Sequence, residues 1–329
     1  MSMKTNTISE KESNALVVIR STAMFSIILC HLFQAYDNYL ASIFNIGVQV
    51  FLVMSGYLYG KKEITSWQDW YKKRFIKLYI PYFIVVFSVS LLILILNAET
   101  IKWYKYIALL INIQGLRLVF YDYIPPLSFS ALSHLWFMTA IMFAYFSTPL
   151  LQHLKRYSHL CIILLLILVL PCYKYLPPRI LFGLEWFWLY AFGYFFANLS
   201  DRYKNILILL FALCYIAIAT RVSGLLDITL WKRLGRCHHC TLGILLFTLG
   251  VTHLKCFSNT SRMMPIFRWF DKYSYFIFLA HFVVMVNTFS LAHATDYLLI
   301  NVLLMILASA FLTYLLIKAT NQITTRIKQ

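Results

Sequence analysis

Charge is scarce in this sequence. Only 12% of its 329 residues are Asp, Glu, Lys or Arg, against roughly a quarter in a soluble domain. The shortage excludes a soluble globular architecture. It also leaves no polar domain that could carry a nucleic-acid interface, so nucleic acid is not an expected partner. Acidic groups are the scarcer sign: 12 Asp and Glu stand against 29 Lys and Arg, a formal charge of +17. In an apolar chain that excess suits loops at the cytoplasmic face, where the lipids are anionic. Paired Cys/His spacings of the zinc type are missing too. Cys237-His238-His239-Cys240 stands alone, and four adjacent residues do not readily close a tetrahedron, so no metal is expected. Cys30, Cys161, Cys172, Cys214 and Cys256 lie in or beside apolar stretches, where a free thiol behaves as a small hydrophobe. No small-residue cleavage site follows the first apolar run, which therefore reads as a retained helix rather than a signal peptide. There is no internal repeat.

What is abundant is apolar sequence, 61% of residues, in runs long enough to cross a bilayer. The expectation is an all-α polytopic transmembrane bundle of about ten spans. They fall near 15–36, 43–60, 78–96, 132–151, 160–176, 181–199, 205–221, 240–256, 270–291 and 297–318. One transmembrane domain over 15–320 then lies between short cytoplasmic tails, 1–14 with a surface helix and 321–329. With the N-terminus inside, the inner loops hold Lys61–Lys77, Lys155/Arg156, Arg202/Lys204 and Lys255–Lys272. This places both termini in the cytoplasm by the positive-inside rule. An outer basic cluster at 221–236 fits that topology poorly, and reads otherwise as a surface for an anionic extracellular group. Gly56 and Gly60 form a G-x-x-x-G step for close helix approach, and Asn45, Gln49 and Ser55 require partners inside the bundle. Basic and aromatic residues alternate over 61–77, as in a helix lying at the interface. Pro81 is expected in the first turn of the third span, where it costs little. Trp103–Ile113 is apolar but too short to span.

The first span carries two expensive residues, Arg20 and His31. Eleven steps of about 100° come within about 20° of three full turns, so both share a face, about 16 Å apart along the axis. Ionisable groups in lipid usually face a bundle interior or a watery cavity. A neutral imidazole can take a proton from a hydroxyl, which makes His31 the candidate base, although the residue by itself is more often a histidine hydrogen-bonded between helices. No carboxylate shares its face, so any orienting group is expected from another helix, with Glu185 the one acidic residue near a span start suited to it. Arg20 reads either as a head-group contact or as a clamp for an anionic ligand. Lys73, Arg74 and Lys77 read as lipid contacts or as a phosphate site. His134, Trp136 and His281 are further polar or aromatic groups of the spans, suited to packing or to substrate support.

These features together resemble a known family. Arg20 and His31 with ten residues between, GVQVFLVMSGYLYG at 47–60, KKRFIKLYIPY at 72–82, HLWFMTAIMFAYFSTPLL at 134–151 and, more weakly, YSYFIFLAHF at 273–282 resemble the acyltransferase-3 family of bacterial membrane acyltransferases. The resemblance implies transfer of an acyl group, usually acetyl, from cytoplasmic acyl-CoA to a hydroxyl of a cell-envelope sugar. His31 would match the family's essential histidine, Arg20 its partner, and the 72–82 region the acyl-CoA contact. Arg74 and Lys77 stand where the family often has paired arginines. No soluble domain is visible beyond the apolar region, so the acceptor is expected to bind within the bundle and its loops. The expected partners are membrane lipid, acyl-CoA as co-substrate and a glycan acceptor, with no permanently bound cofactor. A flippase for a lipid-linked glycan is the alternative from another class. It would favour broken helices in corresponding halves, and none is convincing.

Overall fold

A computed structural model describes residues 8–219, 238–254 and 262–328. The 221–236 cluster, Cys237, Cys256 and the first seven residues lie outside these. Among the described residues the chain is helical, without strands. Five helical runs are long and apolar enough to cross a membrane: 10–34, 40–60, 67–96, 130–175 and 298–327. The chain folds as two compact units, each drawing on several separated segments.

The first unit comprises 1–23, 46–63 and 140–271. It holds the start of α1 (Glu10–Gln34), α3 (Gly47–Gly60), most of α7 (Trp136–Leu154), α8 (Ser158–Tyr175), α9 (Pro178–Phe196), α10 (Asp201–Ala219), α11 (His238–His253) and the start of α12 (Met264–Met285). Its centre is the pairing of α3 with α9. A Cβ on Gly56 would lie 1.9 Å from the Tyr190 carbonyl oxygen, and one on Gly60 2.2 Å from that of Tyr194. Gly193 of α9 answers across the interface, 1.9 Å from the Val53 oxygen by the same measure. Helices in lipid associate through van der Waals packing rather than water exclusion, so backbone-to-backbone approach is what this seam runs on. Tyr190 and Tyr194 are fully buried beside it, the Tyr190 hydroxyl 2.8 Å from that of Thr148.

Residues 10–14, expected in a cytoplasmic tail, are the first turns of α1 itself. Glu12 is buried there: it accepts from the Tyr57 hydroxyl at 2.6 Å and lies 3.6 Å from Lys61 Nζ. Asn14 accepts from Arg268 at 3.2 Å. A buried carboxylate needs such partners, and they hold the stretch in place. Gln49 departs from expectation in the opposite sense, since its buried Oε1 has no hydrogen-bond partner among the described residues.

The second unit comprises 24–45, 64–139 and 272–329. It contains the rest of α1, α2 (Leu40–Phe44), α4 (Trp67–Leu96), α5 (Trp103–Leu110), α6 (Leu116–Val119), a 3-10 segment at Ser130–Leu135 running straight into α7, the rest of α12, and α13 (Leu298–Lys328). Helix α4 corrects two expectations. The basic stretch is not a separate interfacial helix but the start of α4, capped by Ser66 accepting from the Asp69 amide. Pro81 therefore sits in the helix interior rather than in a first turn. Interior proline removes one helical hydrogen bond. The Tyr275 hydroxyl donates to the nearby Leu78 carbonyl at 2.6 Å and ties that part of α4 to α12. Residues 321–328, expected in a tail, continue α13.

The short apolar stretch after α4 is fastened by amides. Asn112, at φ 57°, donates to the Tyr79 hydroxyl and the Met138 carbonyl, both at 3.0 Å. Gln114 donates to Asn112 Oδ1 at 3.0 Å and to the Leu135 carbonyl at 2.8 Å. Tyr82 donates to the Leu109 carbonyl at 2.6 Å. Satisfied buried networks of this kind fix one arrangement of their elements. Here they fix the 3-10 segment, which carries His134, and the start of α7.

Candidate active site

Three histidines from three separate segments meet in the second unit. His31 comes from the last turn of α1, His134 from the 3-10 segment, and His281 from α12. The His31 and His281 rings are 5.3 Å apart between centroids, and those of His134 and His281 6.0 Å. Phe282 packs against both outer members, edge-on to His31 at 4.7 Å and stacked on His134 at 4.5 Å. Ile28 and Leu32, within a turn of His31, pack on the cluster of Phe282, Met285, Val286, Ala292 and Met305.

Each imidazole has its tautomer set by a carbonyl. His31 Nδ1 lies 2.9 Å from Gln34 Oε1, His281 Nδ1 2.9 Å from the Ile277 oxygen, and His134 Nε2 3.3 Å from the Leu279 oxygen. A carbonyl oxygen only accepts, so in each pair the ring nitrogen carries the hydrogen and donates it. The opposite nitrogen of each neutral ring then holds a lone pair: Nε2 of His31, Nε2 of His281 and Nδ1 of His134. His31 is half-buried, whereas His134 and His281 are buried. The group orienting His31 is thus on its own helix. Gln34, three residues on, shares its face, and an amide does there what a carboxylate was expected to do from elsewhere. Glu185 is engaged in the first unit, accepting from the Tyr173 hydroxyl and bonded to Cys240.

Arg20 belongs to the first unit and has a partner that sequence spacing did not indicate. Its Nη1 donates to Asp271 Oδ1 of α12 at 2.6 Å. Beside it, the Ser21 hydroxyl donates to the Phe267 carbonyl at 2.8 Å, so consecutive residues of α1 grip one turn of α12. Lys73, Arg74 and Lys77 lie on the first turns of α4, within the i, i+4 spacing of one face, with Arg74 half-buried and both lysines exposed. Trp136 begins α7, half-buried, its ring edge against Phe137. Among the described residues no group of His, Cys, Asp and Glu is arranged to hold a metal.

Glu99, just past the end of α4, escaped sequence reasoning. It accepts from the Ser130 amide at 2.9 Å, the Ser130 hydroxyl at 3.0 Å, the Ala131 amide at 3.3 Å and the Thr288 hydroxyl. It thereby caps the 3-10 segment that carries His134 and joins it to the short turn after α12. Burial pushes its carboxyl up, but the bonds from Thr288, from the Ser130 and Ala131 amides and from the Ser130 hydroxyl outweigh burial and hold it below the ordinary value. An acidic residue a few positions after an apolar run was the only signal.

A family profile described as an acyltransferase domain matches residues 14–318, nearly the whole chain. The chain belongs to the acyltransferase-3 family. No curated protein and no solved structure matches it. The match takes in parts of both units and all three histidines of the cluster.

Proposed function

We propose that the protein moves an acyl group, acetyl by expectation, from acyl-CoA to a hydroxyl of a cell-envelope glycan, with His31 as general base. The observation that carries this is the bond from His31 Nδ1 to Gln34. It leaves Nε2 as the basic nitrogen on the one histidine of the cluster that is not closed off, and general-base help of this kind is worth roughly 10²–10⁴-fold. The acceptor oxygen attacks the thioester carbon while its proton passes to Nε2. The tetrahedral adduct then expels the CoA thiolate, which takes that proton back, and His31 is neutral again. Lys73, Arg74 and Lys77 are assigned to the CoA phosphates, for which a row of cations on one helix face is suited. Arg20 is assigned a supporting role: through Asp271 it holds α1 against α12. The topology that goes with this reading has about ten spans in the cytoplasmic membrane and both termini inside.

Membranes containing the protein, incubated with acetyl-CoA labelled in the acetyl group, are expected to transfer label to glycan. His31→Ala abolishes transfer while the protein stays folded in the membrane, and unchanged labelling by that variant would overturn the assignment. Arg74→Ala raises KM for acetyl-CoA several-fold more than KM for the acceptor; equal changes in both would remove the phosphate role.

A further inference from the structure

His281 and His134 each hold a ring nitrogen that the transfer step does not use. His281 Nε2 and His134 Nδ1 lie on side chains that are 0% and 4% exposed, and neither has a hydrogen-bond partner among the described residues. A buried acceptor left unpaired costs about 1–3 kcal/mol. Two of them beside a catalytic nitrogen make an arrangement that a ligand would complete. The chemistry of that ligand is restricted. All three rings have given their hydrogen to a carbonyl, so the cluster presents three acceptors and no donor. Phosphate and carboxylate groups bring only more acceptors. A hydroxyl brings the hydrogen each nitrogen lacks.

We propose that His281 and His134 receive hydroxyl groups adjacent to the one being acylated, so that the acceptor is a sugar residue with at least one free hydroxyl next to the reacting position. This rests on the acyl-transfer reading for His31 and adds to it how the acceptor sugar is recognised. His281 is the middle ring of the three, 5.3 Å from His31 between centroids, a separation that neighbouring hydroxyls of one sugar ring can bridge at hydrogen-bond distances of about 2.8 Å to each nitrogen. Phe282, 3% exposed, packs on the rings of both His31 and His134 and holds the two in one cluster. His281 and His134 are recognition residues, and the proton transfer stays with His31.

The test locates the label. Glycan acetylated by wild-type membranes is digested, and the position of the acetyl group is found by NMR. The expected product carries acetyl on a hydroxyl with a free hydroxyl beside it. His281→Phe, which removes the acceptor, is expected to lower transfer at least tenfold with KM for acetyl-CoA changed less than twofold. His281→Gln, which restores a carbonyl acceptor, returns transfer to within threefold of wild type. Acetyl found only between substituted positions, full activity of the Phe variant, or failure of Gln to rescue each overturns the proposal while leaving acyl transfer standing. If His281→Phe does not fold, the Gln variant and the wild-type product decide. No label in any glycan from wild-type membranes would instead bring down the acyl-transfer reading itself.

Discussion

Each of the two units is held together internally, and by a different means. In the first, α3 and α9 touch backbone to backbone at Gly56, Gly60 and Gly193, and fully buried tyrosines fill the surroundings. In the second, side-chain amides and carboxylates do the fastening: Asn112 and Gln114 tie a short helix to α4 and α7, and Glu99 ties three segments at the start of the 3-10 turn. A seam of glycines tolerates no added volume, whereas a polar network tolerates volume but not the loss of a donor or acceptor. The candidate catalytic histidine is in the second kind of unit. Proton transfer needs a ring held in one tautomer and one orientation; close packing can fix the orientation, but only a hydrogen bond fixes the tautomer.

The sharpest way to break that contrast is to add one carbon to the first unit. Gly56→Ala would put its Cβ 1.9 Å from the Tyr190 oxygen, far inside any permitted contact. Backbone atoms of α9 would have to move, and the expected loss is about 3 kcal/mol or more, read as a large fall in thermal midpoint in detergent. Gly115→Ala in the second unit meets Thr139 Cβ at 2.7 Å and the Trp136 carbonyl oxygen at 2.8 Å. A side chain supplies part of that clash, so the smaller loss is expected there. Equal losses would mean that the seam is not special.

The next effect is chemical. Gln34→Leu removes the acceptor from His31 Nδ1 and releases the tautomer that leaves Nε2 basic. Transfer is expected to fall about tenfold in kcat, a fraction of the general-base contribution, with the melting midpoint and the KM for acetyl-CoA little changed. Gln34→Glu keeps an acceptor and is expected to retain most of the activity. If Leu and Glu behave alike, the bond does not orient the base.

The all-helical class was readable in sequence, because apolar runs of this length have few other structures open to them in lipid; of the ten or so spans expected, five helical runs among the described residues are long and apolar enough to cross a membrane. The small-residue step at Gly56 and Gly60 was readable for the same reason. What escaped was pairing at a distance. Asp271 is 251 positions from Arg20, and no periodicity connects them. Gln34 is three residues from His31 on the same face, but an uncharged amide carries no cost in lipid comparable to a charge and so leaves a weaker mark in the sequence. Pro81 was misplaced because proline so often marks a helix start, and here tertiary contacts carry α4 through it. His134 and His281 were singled out separately. Their meeting with His31 follows from the packing of α12 and the 3-10 segment, which no local pattern encodes.

The Arg20–Asp271 pair allows a subtler comparison, since it is a polar fastening inside the close-packed unit. Its side chains are 27% and 16% exposed, so the pair is partly screened and its net worth is modest. Asp271→Asn and Arg20→Gln are each expected to destabilise by about 1–2 kcal/mol, much of it from the charge left behind. The double variant should recover part of that loss. Additive losses would show that the two side chains act independently. A variant that melts as wild type but fails to use acetyl-CoA would return Arg20 to the role of an anion clamp.

The smallest effect separates the units by pH. Glu99 is held below its ordinary value of 4.5 by bonds that favour the carboxylate. A carboxyl whose folded-state pKa is depressed stabilises the fold fully above its unfolded value, and that contribution disappears as pH falls through the folded one. The thermal midpoint of wild type should therefore exceed that of Glu99→Gln by a steady margin near pH 6, and the margin should shrink once pH drops below about 4.5. The group is partly exposed, so the margin is a few degrees at most. Gln keeps a single acceptor oxygen, which cannot serve the Ser130 and Ala131 amides together with both hydroxyls. A margin that does not change with pH would mean that Glu99 contributes by shape rather than charge.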